Sequence, residues 1–410
     1  TDTGEATMKT CLVQLAGRSI NICKFFILLS LFVIQALTGA PRGLHEIRNY
    51  TPEEYNAYSQ NWAVVQATNG MIYVGNNYGI LEYDGANWQI RKISNETAIR
   101  SLHADSSGNV WVGGQGEIGV LRANADGNMQ YTPLLVSGQN EAPKFADIYT
   151  IIKKNGSIYF QSSRNLIILT DDNWQFLKPS QRFGRLFKTK EHLFIYEYGK
   201  GIHFLYNDSI RFFPGSEIFA NTKVSSIIQV NEKLYVFSGK KRYRISQSMK
   251  SFTLMQMDQK IDTVQRAIWL TNTNYVALGC LGSGVYIIGE GGNIIDEFNR
   301  ERGLNNNYAH NLLYDSHNGL WIATDYGVSR IQYPATLLFY DSKFDLNSVI
   351  LHMSESNGQM FFGTTSGILY VDDDEKKKFK KYEGIYDQTR DFEIVDNSVI
   401  GCNRRGLYEH

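Results

Sequence analysis

The sequence predicts an all-β protein built from repeats of about 40 residues, each folding as a small antiparallel sheet. The composition is rich in residues that favour strands, with 25 Tyr and 22 Phe among 410 residues and only 7 Pro. One aromatic-centred pattern also recurs along the chain, and turns marked by glycine separate its copies at nearly constant intervals. A hydrophobic content of 43% supplies packed cores, so wholesale disorder is excluded.

The N-terminal segment has the order of charged, apolar and small residues of a secretory signal. Lys24 precedes the apolar residues 25–34, and small residues at 36–40 lead to Pro41. The apolar run is shorter than the about 20 residues that span a bilayer, which favours export to the periplasm over the alternative of an uncleaved anchor. We therefore assign residues 1–40 to a leader.

The repeats follow this leader. A strand centred on an aromatic residue occupies the same position of four well-defined copies, at Tyr73, Trp111, Trp321 and Phe361. A glycine in the next turn marks most copies, namely Gly79, Gly119, Gly201, Gly284, Gly327, Gly367 and Gly406. Two degenerate copies lie at residues 158–160 and 234–236. The spacing of about 40 residues is that of one four-stranded propeller blade, so nine blade units fit from residue 61 to residue 410.

Turn chemistry and apolar runs predict how the units assemble. Asp105 with Gly108, and Asp315 with Gly319, bracket tight turns between short strands. Continuous apolar strands need cover on both faces, which a closed ring of sheets supplies. We expect a seven-bladed β-propeller over residues 41–335, followed by the first two blades of a second, incomplete propeller over residues 336–410. A single nine-bladed ring is the competing arrangement, and it exceeds the roughly 4–8 blades of most propellers.

The unit at residues 307–330 resembles the two-component-regulator propeller repeat. Residues 48–52, 60–63 and 75–88 resemble the opening of family members that carry a triple-tyrosine domain after their propellers. The resemblance implies the periplasmic sensor region of a bacterial hybrid two-component or related regulator. In such proteins two seven-bladed propellers precede the triple-tyrosine domain, a membrane helix and a kinase or DNA-binding output domain. No second apolar segment follows residue 40 and no kinase nucleotide-binding box occurs, so we expect a truncated sensor portion.

Sequence motifs for nucleotide binding, metal binding and catalysis are weak in this chain. Gly114, Gly116 and Gly119 match the dinucleotide fingerprint, but a short strand follows them where phosphate binding needs a helix. The eight His are scattered singly without metal spacing, so we expect no catalytic residue, no metal and no cofactor. Cys280 and Cys402 both lie late in an apolar strand pattern, where a buried and inert thiol is expected.

The predicted ligand site is a set of positions at the mouth of the central channel, where the residues that begin each innermost strand converge. These candidates are Trp62, Arg100, Tyr149, Arg182, Lys223, Arg266, Tyr308 and His310. Arginines together with aromatic rings suit a polar, anionic sugar, because guanidinium groups bind carboxylate or sulfate and aromatic faces stack on sugar rings.

The leading functional hypothesis is ligand sensing for a membrane-bound two-component or transcriptional regulator, with glycan fragments as the signal class that the resemblance implies. The expected partners are a small-molecule or oligosaccharide ligand, the C-terminal membrane and output domains of an inner-membrane regulator, and a second copy of the chain in a homodimer. Direct contact with nucleic acid is not expected, because 41 Lys and Arg balance 41 Asp and Glu. The alternatives are a secreted propeller enzyme acting on polysaccharide and an interaction scaffold.

Overall fold

The computed structural model describes residues 44–410 except 140–141, 207–208, 336, 340–345, 357–358, 372–378, 396–397, 404–405 and 410. The predicted leader, residues 1–40, lies outside the described residues. Among the described residues, helix is limited to the short α-helix Pro52–Tyr55 and the 3₁₀ turns Ser216–Phe219 and Arg300–Arg302. None of these described helical segments has the length and apolar character of a membrane span. The predicted all-β propeller fold is confirmed.

The chain divides into two compact units, His45–Thr336 and a second unit that contains Leu337–His410. In the first unit the described strands form seven four-stranded antiparallel sheets, numbered here along the chain. Sheet 1 contains Asn61–Gln66, Ile72–Asn76, Gly79–Tyr83 and Trp88–Arg91. Sheet 2 contains Ser101–Ala104, Val110–Gly113, Glu117–Ala123 and Met129–Val136. Sheet 3 contains Ile148–Lys154, Ser157–Ser162, Leu166–Thr170 and Asn173–Leu177.

The remaining sheets of this unit repeat the same up-and-down order. Sheet 4 contains Phe183–Lys188, Leu193–Glu197, Gly201–Tyr206 and Ser209–Phe212. Sheet 5 contains Val224–Val230, Lys233–Ser238, Lys241–Ile245 and Phe252–Met255. Sheet 6 contains Val264–Trp269, Val276–Cys280, Val285–Ile288 and Ile294–Phe298. Sheet 7 contains Ala309–Tyr314, Gly319–Thr324, Val328–Gln332 and, as its outermost strand, Ile47–Tyr50.

The outermost strand of sheet 7 comes from the other end of the unit. Ile47–Tyr50 pairs antiparallel with Val328–Gln332, with Tyr50 opposite Val328. The Tyr50 ring stacks on Trp321 with centroids 5.5 Å apart. The first strand of sheet 7 packs against the first strand of sheet 1, so the last repeat meets the first. No sequence pattern predicted this closure, because a four-residue strand is too short to show a recognisable periodicity.

A separate hydrophobic cluster lies between each pair of neighbouring sheets, including sheets 7 and 1. Second strands such as Ile72–Asn76, Leu193–Glu197 and Gly319–Thr324 are buried along their whole length. A sheet covered on both faces buries successive side chains in both directions, which explains the continuous apolar runs in the sequence.

The marker glycines have a steric reason. Gly284 has φ 88°, and a Cβ there would run into the carbonyl oxygen of Phe298 in the neighbouring strand. Only glycine fits a position that combines a positive φ with close contact to a carbonyl oxygen, because every other residue carries a Cβ. The marker in sheet 2 was wrong, because Gly119 lies inside the strand Glu117–Ala123 with no positive φ. There the turn glycine is Gly116, at φ 74°.

Residues of the second unit form two further sheets. Sheet 8 contains Ile350–Ser356, Gln359–Thr364, Gly367–Val371 and Phe379–Lys381, and sheet 9 contains Thr389–Val395, Ser398–Asn403 and Gly406–Glu409. Phe361, Ile368 and Val399 belong to the hydrophobic cluster between these sheets. Cys280 is buried as expected, but Cys402 is exposed, so the expectation of a buried thiol was wrong there. Two-residue strands also occur at Leu44–His45 and Leu338–Phe339.

Candidate functional site

A β-bulge recurs near the start of the first strand of six sheets of the first unit. The residues that interrupt the pairing are Trp62, Tyr149, residues 184–185, Ser225, Gln265 and His310. A bulge bends the strand and re-aims the side chain at the interruption. The repeated bulge therefore directs one position per sheet away from the regular pleat.

These strand starts surround a cavity of about 370 Å³. Six of the predicted ligand residues line it, namely Trp62, Arg100, Tyr149, Arg182, Lys223 and His310. Polar lining residues that the sequence did not single out are Asp147, Gln161, Ser163, Arg185, Tyr198, Gln265 and Asn311. The expected convergence on one concave surface therefore holds for most of the candidates, whereas ligand binding by them stays a prediction.

Two predicted residues do not line the cavity. Tyr308 is 47% exposed, and its backbone forms an isolated bridge with Leu281. In sheet 6 the bulge lies between Val264 and Arg266, and Gln265 lines the cavity where Arg266 was expected. A one-residue interruption of the register exchanges which side chain faces a given direction. Bulges leave no mark in hydrophobic periodicity, so the sequence offered no signal for this exchange.

A closed polar and aromatic network forms the wall contributed by sheets 7 and 1. The Trp62 indole donates to Asn77 Oδ1 at 2.7 Å, and Asn77 donates to Gln60 Oε1 at 3.0 Å. Gln60 Nε2 donates to Asp325 Oδ1 at 2.6 Å, and His310 Nε2 lies 2.6 Å from the same oxygen. The His310 and Trp62 rings complete the circuit with centroids 4.5 Å apart. These contacts hold both cavity rings in fixed orientations.

The charge of Arg100 is compensated on the adjoining wall. Its guanidinium lies 4.0 Å from the centre of the Trp62 ring, and its Nε is 3.4 Å from Asp147 Oδ1. The Tyr149 hydroxyl donates to Asp147 Oδ2 at 3.1 Å. Burial, and then the Asp147 charge, raise the pKa of Tyr149, so its hydroxyl keeps its proton at neutral pH. This wall is nearly neutral overall.

Sheets 4 to 6 contribute cations that lack such compensation. Among the described residues no carboxylate forms an ion pair with Arg182, Arg185, Lys223 or Arg266. The Arg182 guanidinium covers the Tyr198 ring at 3.8 Å, and Lys223 Nζ donates to Gln265 Oε1 at 3.1 Å. Burial, and then the Arg185 charge, lower the pKa of Lys223. This side of the cavity is therefore electropositive.

Within the residues that the structure describes, no cluster of three or more His, Cys, Asp or Glu is placed to hold a metal ion.

Comparison with known proteins identifies one repeat. Residues 303–326 match the family model of the two component regulator propeller. The match overlaps the unit at 307–330 and covers the first two strands of sheet 7, so the recognition of this propeller repeat from sequence is confirmed. No curated protein matches the chain.

The fold is similar to extracellular domains of hybrid two-component systems from B. thetaiotaomicron. One such domain aligns with a TM-score of 0.60 and 15% identity over 89% of this chain and 59% of that domain. Another aligns with a TM-score of 0.58 and 16% identity over 89% of this chain and 52% of that domain. The chain thus spans little more than half the length of these domains.

A propeller enzyme shares the fold as well. The virginiamycin B lyase from Staphylococcus aureus aligns with a TM-score of 0.57 and 13% identity over 70% of this chain and 99% of the lyase. At these identities the likeness shows the β-propeller architecture, which hosts both sensors and enzymes.

Proposed function

We propose that this chain is the ligand-sensing propeller region of an exported, membrane-linked two-component regulator, and that glycan fragments bound in the cavity are its signal. The observation that carries the proposal is the convergence of six polar or aromatic side chains from different sheets on one cavity of about 370 Å³. A cavity of this size suits a small ligand of one or two sugar units. The propeller repeat at 303–326 supports the sensor class.

The composition of the cavity supports a glycan over an apolar ligand. Arg182 and Lys223 supply exposed donors, and Tyr149 is 44% exposed at the cavity. Sugar hydroxyl and acid groups accept hydrogen bonds from such donors, and sugar rings stack on aromatic faces. The Trp62 ring already contacts Arg100 and His310, so Tyr149 offers the freer aromatic surface.

We propose that His45–Thr336 is a self-sufficient domain and that residues 337–410 belong to a further propeller. The separate clusters between neighbouring sheets and the pairing of Ile47–Tyr50 into sheet 7 support this division. The membrane and output domains of the regulator and a homodimer partner are predictions carried by the resemblance.

A propeller enzyme acting on polysaccharide is the second candidate. The observation in its favour is the His310–Asp325 contact of 2.6 Å on the cavity wall, a pairing that can serve as a general base. Prolonged incubation with glycan fragments distinguishes the two functions, because a sensor releases its ligand unchanged and an enzyme accumulates product.

Calorimetric titration of glycan fragments against the whole chain tests the sensor site. Arg182→Ala and Lys223→Ala should each cost about 1–3 kcal/mol of binding free energy, because each removes a charged donor from the cavity. Tyr308→Ala is the matched control, since this exposed side chain lies off the cavity. If neither Arg182→Ala nor Lys223→Ala changes the ligand affinity, the binding site lies outside this cavity.

A further inference from the structure

Two cations, Arg185 and Lys223, line the cavity without a compensating carboxylate among the described residues. Arg185 lies in the bulge of sheet 4, is only partly exposed and has no hydrogen-bond acceptor in the described part of the chain. Burial lowers the pKa of Arg185, and burial followed by the Arg185 charge lowers the pKa of Lys223. Two positive charges therefore face one cavity, and they repel each other.

This arrangement destabilises the free protein. A partly desolvated charge is unfavourable unless it is paired, and like charges add repulsion. An anion bound in the cavity beside Arg185 and Lys223 relieves both costs at once. Planar acid groups fit guanidinium donors in pairs, which gives such binding direction as well as strength.

Gln161 supplies a second, independent observation. It lies in the second strand of sheet 3, is 1% exposed and lines the same cavity. Its Oε1 is buried and has no hydrogen-bond partner in the described part of the chain. A buried amide oxygen without a donor is unfavourable, and a ligand hydroxyl would satisfy it. The cavity therefore presents both an anion-seeking and a hydroxyl-seeking group.

We propose that the cavity contains a subsite for a hydroxylated organic anion, the charged sugar of an acidic glycan fragment. Arg185 and Lys223 bind the acid group, and Gln161 accepts a hydrogen bond from a ring hydroxyl. A simple anion satisfies only the two cations, and a neutral sugar satisfies only Gln161. The inference deepens the proposed function and rests on it for the sugar, whereas the anion chemistry follows from Arg185 and Lys223 themselves.

Calorimetric titration of the whole chain at low salt tests the subsite with four probes. They are a uronic acid disaccharide, the same disaccharide reduced to its neutral alcohol, a sulfated disaccharide and inorganic sulfate. We expect the acidic disaccharides to bind at least about 10-fold more tightly than the neutral one, and their affinity to fall as salt rises. The uronate and sulfate arms identify which acid group is preferred.

Substitutions separate the two parts of the subsite. Arg185→Gln and Lys223→Gln should each weaken acidic disaccharide binding by about 10- to 100-fold. Gln161→Leu should weaken disaccharide binding and leave inorganic sulfate binding unchanged. The control is Arg211→Gln, on the outermost strand of sheet 4, where the guanidinium covers the Tyr206 ring away from the cavity. It should leave every affinity unchanged.

The melting temperature of each variant shows whether a loss of binding is caused by misfolding. Because Arg185→Gln and Lys223→Gln remove an uncompensated charge, neither should lower the melting temperature of the unliganded chain. Equal affinity for acidic and neutral disaccharides, unchanged affinity in both the Arg185 and the Lys223 variant, or no binding by any probe would each overturn the subsite.

Failure of the subsite and failure of the sensor proposal look different. Binding of the neutral disaccharide that remains sensitive to Arg182→Ala would keep the sensor proposal and overturn the acidic subsite. If the acidic disaccharide binds through Arg185 but does not change the output of the regulator, the subsite is supported and the sensor proposal is overturned.

Discussion

Second strands with similar sequences are buried differently in the two units. In Val276–Cys280 every residue is buried, whereas in Ser398–Asn403 Val399 and Gly401 are buried and Ile400 and Cys402 are exposed. Sheet 6 has neighbours on both faces, and the described contacts of sheet 9 in its unit are with sheet 8. The burial of a propeller strand is therefore determined by the sheets beside it more than by its own sequence.

The β-bulges of the two units also differ in their surroundings. Sheets 8 and 9 also carry a bulge near the start of the first strand, at Leu351 and Arg390. Both of these residues are exposed, and the cavity of about 370 Å³ is lined by residues of the first unit. The local repeat encodes the bulge, but a ligand cavity needs several bulged strands facing one centre.

The largest expected difference between the units is at the turn glycines. Gly284→Ala should lower the free energy of unfolding by about 3–5 kcal/mol, because the new Cβ meets the Phe298 carbonyl and the backbone must adopt a positive φ. Gly406→Ala should cost about 1–2 kcal/mol in its own unit, since no described residue lies within 4 Å of its Cβ position.

Tryptophan fluorescence during urea unfolding measures these effects in one unit alone. All 6 Trp of the chain lie between residues 62 and 321, so the signal reports on sheets 1 to 7. Gly284→Ala should shift the fluorescence midpoint strongly, and Gly406→Ala should leave it unchanged. Equal shifts would show that the units unfold together.

A smaller difference is expected from large-to-small substitutions in second strands. Ile322→Ala should cost about 3 kcal/mol, because this side chain is fully buried between sheets 6 and 7. Ile400→Ala should cost less than about 1 kcal/mol, because Ile400 is 37% exposed. Fluorescence should detect the first variant only, and hydrogen exchange of residues 398–409 should measure the second.

The smallest effect should follow removal of the second unit. A chain that ends at residue 336 should keep its fluorescence-monitored melting temperature within about 2 °C, because the seven interfaces of the first unit remain intact. A chain that ends at residue 300 is the control, and it should lose cooperative unfolding because sheet 7 is gone. Loss of cooperativity on ending at 336 would instead favour one ring of nine sheets.

The sequence supported the strand content, the repeat length and most strand positions, because apolar runs and turn residues report directly on buried strands. The pairing of Ile47–Tyr50 with Val328–Gln332 was missed, since four residues joined across the whole unit leave no local pattern. The candidate site was found in outline. Arg185 and Gln265 were missed because bulges shift side-chain directions without changing composition. Gln161 was missed because it lies in a second strand, whereas the candidates came from the starts of first strands.

Hydrogen exchange of the whole chain with and without the uronic acid disaccharide tests the central claim most directly, because it locates binding in one unit or the other. We predict that saturating ligand slows exchange in the first strands of sheets 3 to 5, Ile148–Lys154, Phe183–Lys188 and Val224–Val230, which border the cavity. Exchange in Ile350–Ser356 and Thr389–Val395 should not change. Protection confined to residues 337–410, or no protection anywhere at saturation, would contradict the claim that the cavity of sheets 1 to 7 is the ligand site.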